Sequence, residues 1–179
     1  MSLVELMIAM LVLAIGMGGI TIMLAGAMQS DNKNSKDMSA TLVAQMVMEQ
    51  ISAQHVYSGA TINITDCAGT SWTIATSPGA VGTGNGATLL SNGNIDFTQA
   101  YSTLFSNNYA MQYVDCSSSG GTQLTYEARW NVMNVSTNTS TRMITVGARI
   151  LPSNTAKLGG AMFAFPVTLR GIGAPSAGQ

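Results

Sequence analysis

Charge is scarce in this chain: only 8% of its 179 residues are Asp, Glu, Lys or Arg, against roughly 25% in ordinary soluble domains. The formal net charge is −1, so no bulk field draws the molecule toward nucleic acid or anionic lipid. Histidine is nearly absent. The one copy, His55, falls where a long helix is predicted to end, a position that suits capping, and no Cys/His set with metal-ligand spacing surrounds it. G-x-S-x-G and Walker patterns are missing. The Gly-rich "GTGNG" at 82–86 lacks the strand-then-helix context that makes such a run a phosphate cradle. These absences predict neither an enzyme nor a bound cofactor.

Cysteine is limited to Cys67 and Cys116, both in the polar part of the chain. Outside the cytosol two lone cysteines usually pair. A bridge here would close a loop of about 50 residues, which the chain-entropy treatment values at roughly 4 kcal/mol. Two buried free thiols are the alternative.

The apolar residues that are present are concentrated at one end. Between Leu6 and Met28 the only polar side chain is Thr21, and a helix of that length, about 34 Å, crosses a bilayer core of roughly 30 Å. Gly16, Gly18 and Gly19 interrupt it. Each costs about 1 kcal/mol relative to alanine, so they mark a place where the helix softens, stretches or packs closely against another. "QSDNKNSKD" is polar all round. From Met38 to Gln54 helical spacing returns, with Leu42 and Met46 on one row and Val43, Val47 and Ile51 on another. The predicted organisation is an apolar helix over 1–28, its amphipathic continuation over 29–54, and a globular head over 55–179.

The head reads as β. "TINIT" and "SWTIAT" look like short strands, "SPGAVGTGNGA" like a flexible loop. "DFTQAYSTLF" looks like a short helix capped by Asp96 with Gln99 three residues on. "AMQYVDC" looks like a further strand. Strict alternation marks Leu124, Tyr126, Ala128, Trp130 and Val132, then Ile144, Val146, Ala148 and Ile150, then Phe163, Phe165, Val167 and Leu169. Three such strands joined in succession make an antiparallel meander with one apolar face, and the amphipathic helix is its natural cover. The class is α+β. On these parities Arg129, Arg149 and Arg170 share the face away from the core, a basic stripe interrupted by Glu127, which reads as solvated rather than as a nucleic-acid surface. Asn63, Asn134 and Asn138 stand in N-x-S/T sequons.

Glu5 is the one acid in the apolar run. A lone carboxylate at the bilayer centre costs about 3 kcal/mol on insertion scales. At the membrane edge it snorkels into water; the alternative is a cationic partner. No Lys or Arg occurs in the first 32 residues, so the one cation at that depth is the α-amino group of Met1, in the same helix or in a neighbour. A secretory signal peptide fits poorly, because the apolar run is too long and no basic segment precedes it. A plain anchor leaves Glu5 unexplained.

"MSLVEL" followed by a long apolar helix resembles the mature N-terminus of type IV pilins and of type II secretion pseudopilins, matched position by position through Met1, Ser2, Leu3, Val4, Glu5 and Leu6. The continuation "MIAMLVLAIGMGG" resembles minor pilins of the pilus-modification class. The resemblance covers roughly the first 30 residues. It implies a helical filament built from many copies, with Met1 and Glu5 as assembly residues and Glu5 paired to the terminal amine of a neighbouring subunit. It also implies an inner-membrane pool before assembly, an extracellular pilus afterwards, and a prepilin peptidase and pilus assembly machinery as partners. A basic leader upstream of Met1 is expected to have been removed. Two departures stand out: Ile22 occupies the place where many pilins carry proline, and the cysteines lie mid-chain rather than near the C-terminus. A minor pilin, a tip adhesin and a secretion pseudopilin are the alternatives.

Overall fold

The computed structural model describes residues 3–54, 61–116, 123–137, 141–151 and 165–173. Helix α1 runs unbroken over Leu3–Ala53. It is followed by β1 (Thr61–Thr65), β2 (Ser71–Ala75), β3 (Asn85–Gly86), α2 (Tyr101–Ser106), β4 (Ala110–Asp115), β5 (Leu124–Asn134), β6 (Arg142–Ile150) and β7 (Val167–Gly173). The chain forms two compact units, Met1–Lys36 and Asp37–Gln179. The class is α+β, a long N-terminal helix with antiparallel sheets.

All pairs among the described strands are antiparallel. In the larger sheet β5 is central, with β6 on one side and β7 beyond it. On the other side β4 pairs with residues 124–129 and β3 with residues 131–132. β1 and β2 form a separate two-stranded sheet. Period-2 patterning sets one face: Tyr126, Ala128, Trp130 and Val132 lie level with Ile150, Ala148, Val146 and Ile144, and all but Ile150 are fully buried. Helix α1 contributes Ala40, Val43, Ala44, Val47 and Ile51 to the same core. Of the two rows in the sequence the helix buries the second, leaving Leu42 56% exposed and Met46 partly buried. The chosen seam includes two alanines, whose short side chains let helix and sheet come close. Met48 reaches Gly171, where a Cβ would lie 3.0 Å from its sulfur.

The opposite face is also covered. Residues 79–99 cross it, so the expectation of a flexible "SPGAVGTGNGA" loop gives way to a packed layer. Gly79 exchanges backbone hydrogen bonds with Val132 and Asn134, and Ala87 N–H donates to Trp130 O. An irregular segment laid on a sheet carries backbone groups that no ladder satisfies, and the polar residues of β5 serve them. Asn131 Nδ2 donates to Thr83 O and Ala87 O at 3.0 and 2.9 Å. Glycines permit the approach: at Gly84, φ +69, a Cβ would meet Asn131 Oδ1 at 2.3 Å, and at Gly147 it would meet Ile95 Cβ at 2.9 Å.

The short helix starts later than the sequence pattern indicates. Asp96 Oδ1 accepts from Thr98 N–H and Oγ1–H, and Gln99 Oε1 accepts from Thr88 N–H at 2.9 Å, so neither residue caps it. α2 begins at Tyr101 with Ala100 as a cap that makes no side-chain bond. Phe163 and His55 lie outside the described residues.

Candidate functional site: the apolar helix and the surfaces around it

In its first half α1 presents apolar side chains in every direction. Leu3, Val4, Leu6, Met7, Ile8, Met10 and Leu11, which together circle the helix, are all more than half exposed, and the run continues to Met28. No other described part of the chain covers them, and the helix is long and apolar enough to cross a membrane. Thr21 Oγ1, the single hydroxyl between Leu6 and Met28, donates back to Gly18 O at 2.8 Å. Its polarity is thus satisfied inside the helix, as an apolar surrounding requires. Glu5 stands in the first turn, where unpaired backbone N–H groups favour an anion. Met1, its proposed partner, lies outside the described residues. Gly16, Gly18 and Gly19 are helical, with open space where a Cβ would project.

The second half of α1 is held by a residue the sequence did not single out. Arg142, 1% exposed, donates through Nη2 to Ile51 O and Gln54 O. The last carbonyls of a helix lack intrahelical partners and sit at the negative end of its dipole. α1 has no basic residue in its last turn, and an arginine from the first position of β6 supplies that charge. Burial pulls the Arg142 pKa below the usual arginine value. Following a Ser/Thr/Asn-rich stretch, Arg142 carries no sequence signal that separates it from a surface arginine.

The basic stripe is solvated only in part. Arg129 is 2% exposed; it pairs with Glu127, donates to Gln99 O at 2.7 Å, and lies 5.1 Å from the Phe97 ring centroid. Arg149 pairs with the other carboxylate oxygen of Glu127 at 2.7 Å and covers the same ring at 4.7 Å. Arg170 is exposed but donates to Gly93 O. The three do share one face, as their parity predicts. Residues 79–99 roof that face, so Arg129 and Arg149 are committed to Glu127, Phe97 and loop carbonyls rather than displayed toward phosphate.

Cys67 and Cys116 form a disulfide, with Cα atoms 6.0 Å apart. It joins the β1–β2 turn to the end of β4. Beside it, Asp66 accepts from Thr70 N–H at 2.8 Å and Trp72 Nε1–H at 3.0 Å. Burial pushes the Asp66 carboxyl up, but these bonds, with backbone N–H groups of Val114 and Ala68, outweigh it and hold the carboxyl below its ordinary range. Among the described residues no three His, Cys, Asp or Glu side chains gather as a metal site. Compared with protein-family models, with curated proteins and with solved structures, the chain matches none.

Proposed function

We propose that this chain is a structural subunit of a type IV pilus filament, without catalytic activity, that assembles through its N-terminal helix. The observation that carries the reading is the all-round apolar surface of residues 3–28, which the described chain leaves uncovered and which carries one acid, Glu5, at its start. Lipid covers such a surface before assembly, and copies of the same helix cover it afterwards. Little hydrophobic free energy is gained in that exchange, because lipid tails are as apolar as leucine. Specificity then falls to close packing, which Gly16, Gly18 and Gly19 permit, and to the pair between Glu5 and the terminal amine of a neighbour. Between apolar helices such a pair is poorly screened, and removing one member strands the other at a cost of about 3–5 kcal/mol. The head is the solvent-facing part of the subunit, and its exposed disulfide suits an extracellular location.

Glu5→Ala tests the reading. The variant is expected to fold and remain in the inner membrane while its share of sheared filaments drops at least tenfold; normal filaments would refute the role. The same preparation separates a principal subunit from a minor one, since a major pilin makes up most of the sheared mass.

A further inference from the structure

We propose that Asn92 is a modification site: its side-chain amide is lost through attack by the Gly93 backbone nitrogen, leaving aspartate or isoaspartate. The chain contains two Asn-Gly pairs, Asn85–Gly86 and Asn92–Gly93. Such pairs are open to this reaction because glycine has no side chain to obstruct the approach of its nitrogen to the preceding amide. The Gly93 nitrogen bonds to Asn92 Cγ and gives up its proton, Nδ2 leaves as ammonia, and a cyclic imide forms. Water then opens either imide carbonyl, so the balance is asparagine plus water to acid plus ammonia.

The fold separates the two pairs. Asn85 and Gly86 lie in β3, laddered to Val132 and Asn131 of β5. Gly86 is wedged there: a Cβ would meet Trp130 O at 2.3 Å and the Tyr109 ring at 2.6 Å, and the Asn85 amide donates to Ser77 O. Closing a ring at that place requires β3 to leave the sheet. Asn92 is instead exposed in a tight turn, where Leu90 N–H donates to Asn94 O and Gly93 N–H to Leu90 O. Its Oδ1 accepts from Asn94 N–H at 3.0 Å. That donor draws electrons from the Cγ carbonyl and is in place for the negative charge that develops on Oδ1 during attack. The bond from Gly93 N–H to Leu90 O must open first, and an exposed turn opens far more readily than a strand held in a sheet.

The product has a cation at hand. Arg170 of β7 donates through Nη2 to Gly93 O, one residue from the new carboxylate, which can pair with it. A contact between the layer of residues 79–99 and β7 that rests on a neutral carbonyl thus gains an opposite charge. Each conversion also adds one negative charge to a chain whose formal net charge is −1.

The test incubates the full chain, folded in detergent, at neutral pH and physiological temperature for several weeks, beside a sample unfolded in guanidinium. Peptide mass spectrometry follows the amide-to-acid mass gain at Asn92 and Asn85 separately, and chromatography resolves aspartate from isoaspartate. In the folded chain Asn92 should convert about tenfold faster than Asn85, with both products present. In guanidinium the two should convert at similar rates, since only the fold distinguishes them. Asn92→Gln, whose longer side chain disfavours ring closure, should release correspondingly less ammonia from the folded chain. Equal conversion of the two sites in the folded chain would overturn the proposal, as would an Asn92 that stays intact when folded yet converts in guanidinium. Aspartate without isoaspartate would overturn it as well, because direct hydrolysis rather than imide formation would then be the route.

Discussion

Replacing Arg142 by methionine removes the charge that closes the C-terminal end of α1 while keeping an unbranched chain of similar length. The wild-type guanidinium donates to Ile51 O and Gln54 O, and hydrogen bonds from a charged donor contribute about 1.5–3 kcal/mol each. Their loss is compounded by stranding the carbonyl of Ile51, which is buried with it. Against this, Arg142 Nε and Nη1 have no partner of their own, and relieving a buried, half-satisfied cation returns part of the loss. The balance is a destabilisation of about 2–3 kcal/mol, worth roughly 4–12 °C in Tm for a chain of this size. Urea unfolding of the full chain in detergent, followed by Trp fluorescence, reads it directly, since Trp130 sits in the core that α1 covers. Arg142→Lys keeps charge but not the two-armed donor, and should fall between. If Arg142→Met unfolds at the wild-type midpoint with an unchanged slope, the helix end does not depend on this arginine.

Three further outcomes follow from the head. Cys67→Ser with Cys116→Ser should lower stability by up to about 4 kcal/mol, the chain-entropy value for this loop, and reductant should then have no further effect on the midpoint. Gly147→Ala drives a methyl into Ile95 and Phe97 and should cost about 1–3 kcal/mol by overpacking, with protease cleavage appearing first between residues 79 and 99. Because the Asp66 carboxyl is held below its ordinary range, its contribution is present at neutral pH and is lost as pH falls through the carboxylate range. Asp66→Asn should therefore flatten the acid limb of stability against pH; an unchanged limb would contradict that assignment.

What could be read from sequence was periodic. Alternation from Leu124 to Val132 and from Ile144 to Ile150 marks strands because one face of each must be apolar, and β5 and β6 lie there. The apolar run and the return of helical spacing mark α1. The second layer was hidden, since Glu127, Arg129 and Asn131 look like solvent-facing residues until residues 79–99 are laid across them. Nothing local dictates that path; it is set by hydrogen bonds between residues 30 to 48 apart in sequence. Asp96 and Gln99 carry a capping pattern that other hydrogen bonds divert, a local turn to Thr98 for Asp96 and a bond back to Thr88 for Gln99. Leu42 and Val43 offered two helix rows of similar hydrophobicity, and only contact with the sheet distinguishes them. In the first half of α1, Glu5 was conspicuous because charge is so scarce around it, whereas Arg142 was not.

On the proposal above, Glu5 meets the terminal amine of a neighbouring subunit. A reconstruction of the assembled filament, at a resolution that shows side chains, measures it directly. The Glu5 carboxylate is expected within about 4 Å of the Met1 nitrogen of an adjacent copy, enclosed by apolar helices. A carboxylate facing open solvent, or one whose nearest cation is elsewhere, would contradict it.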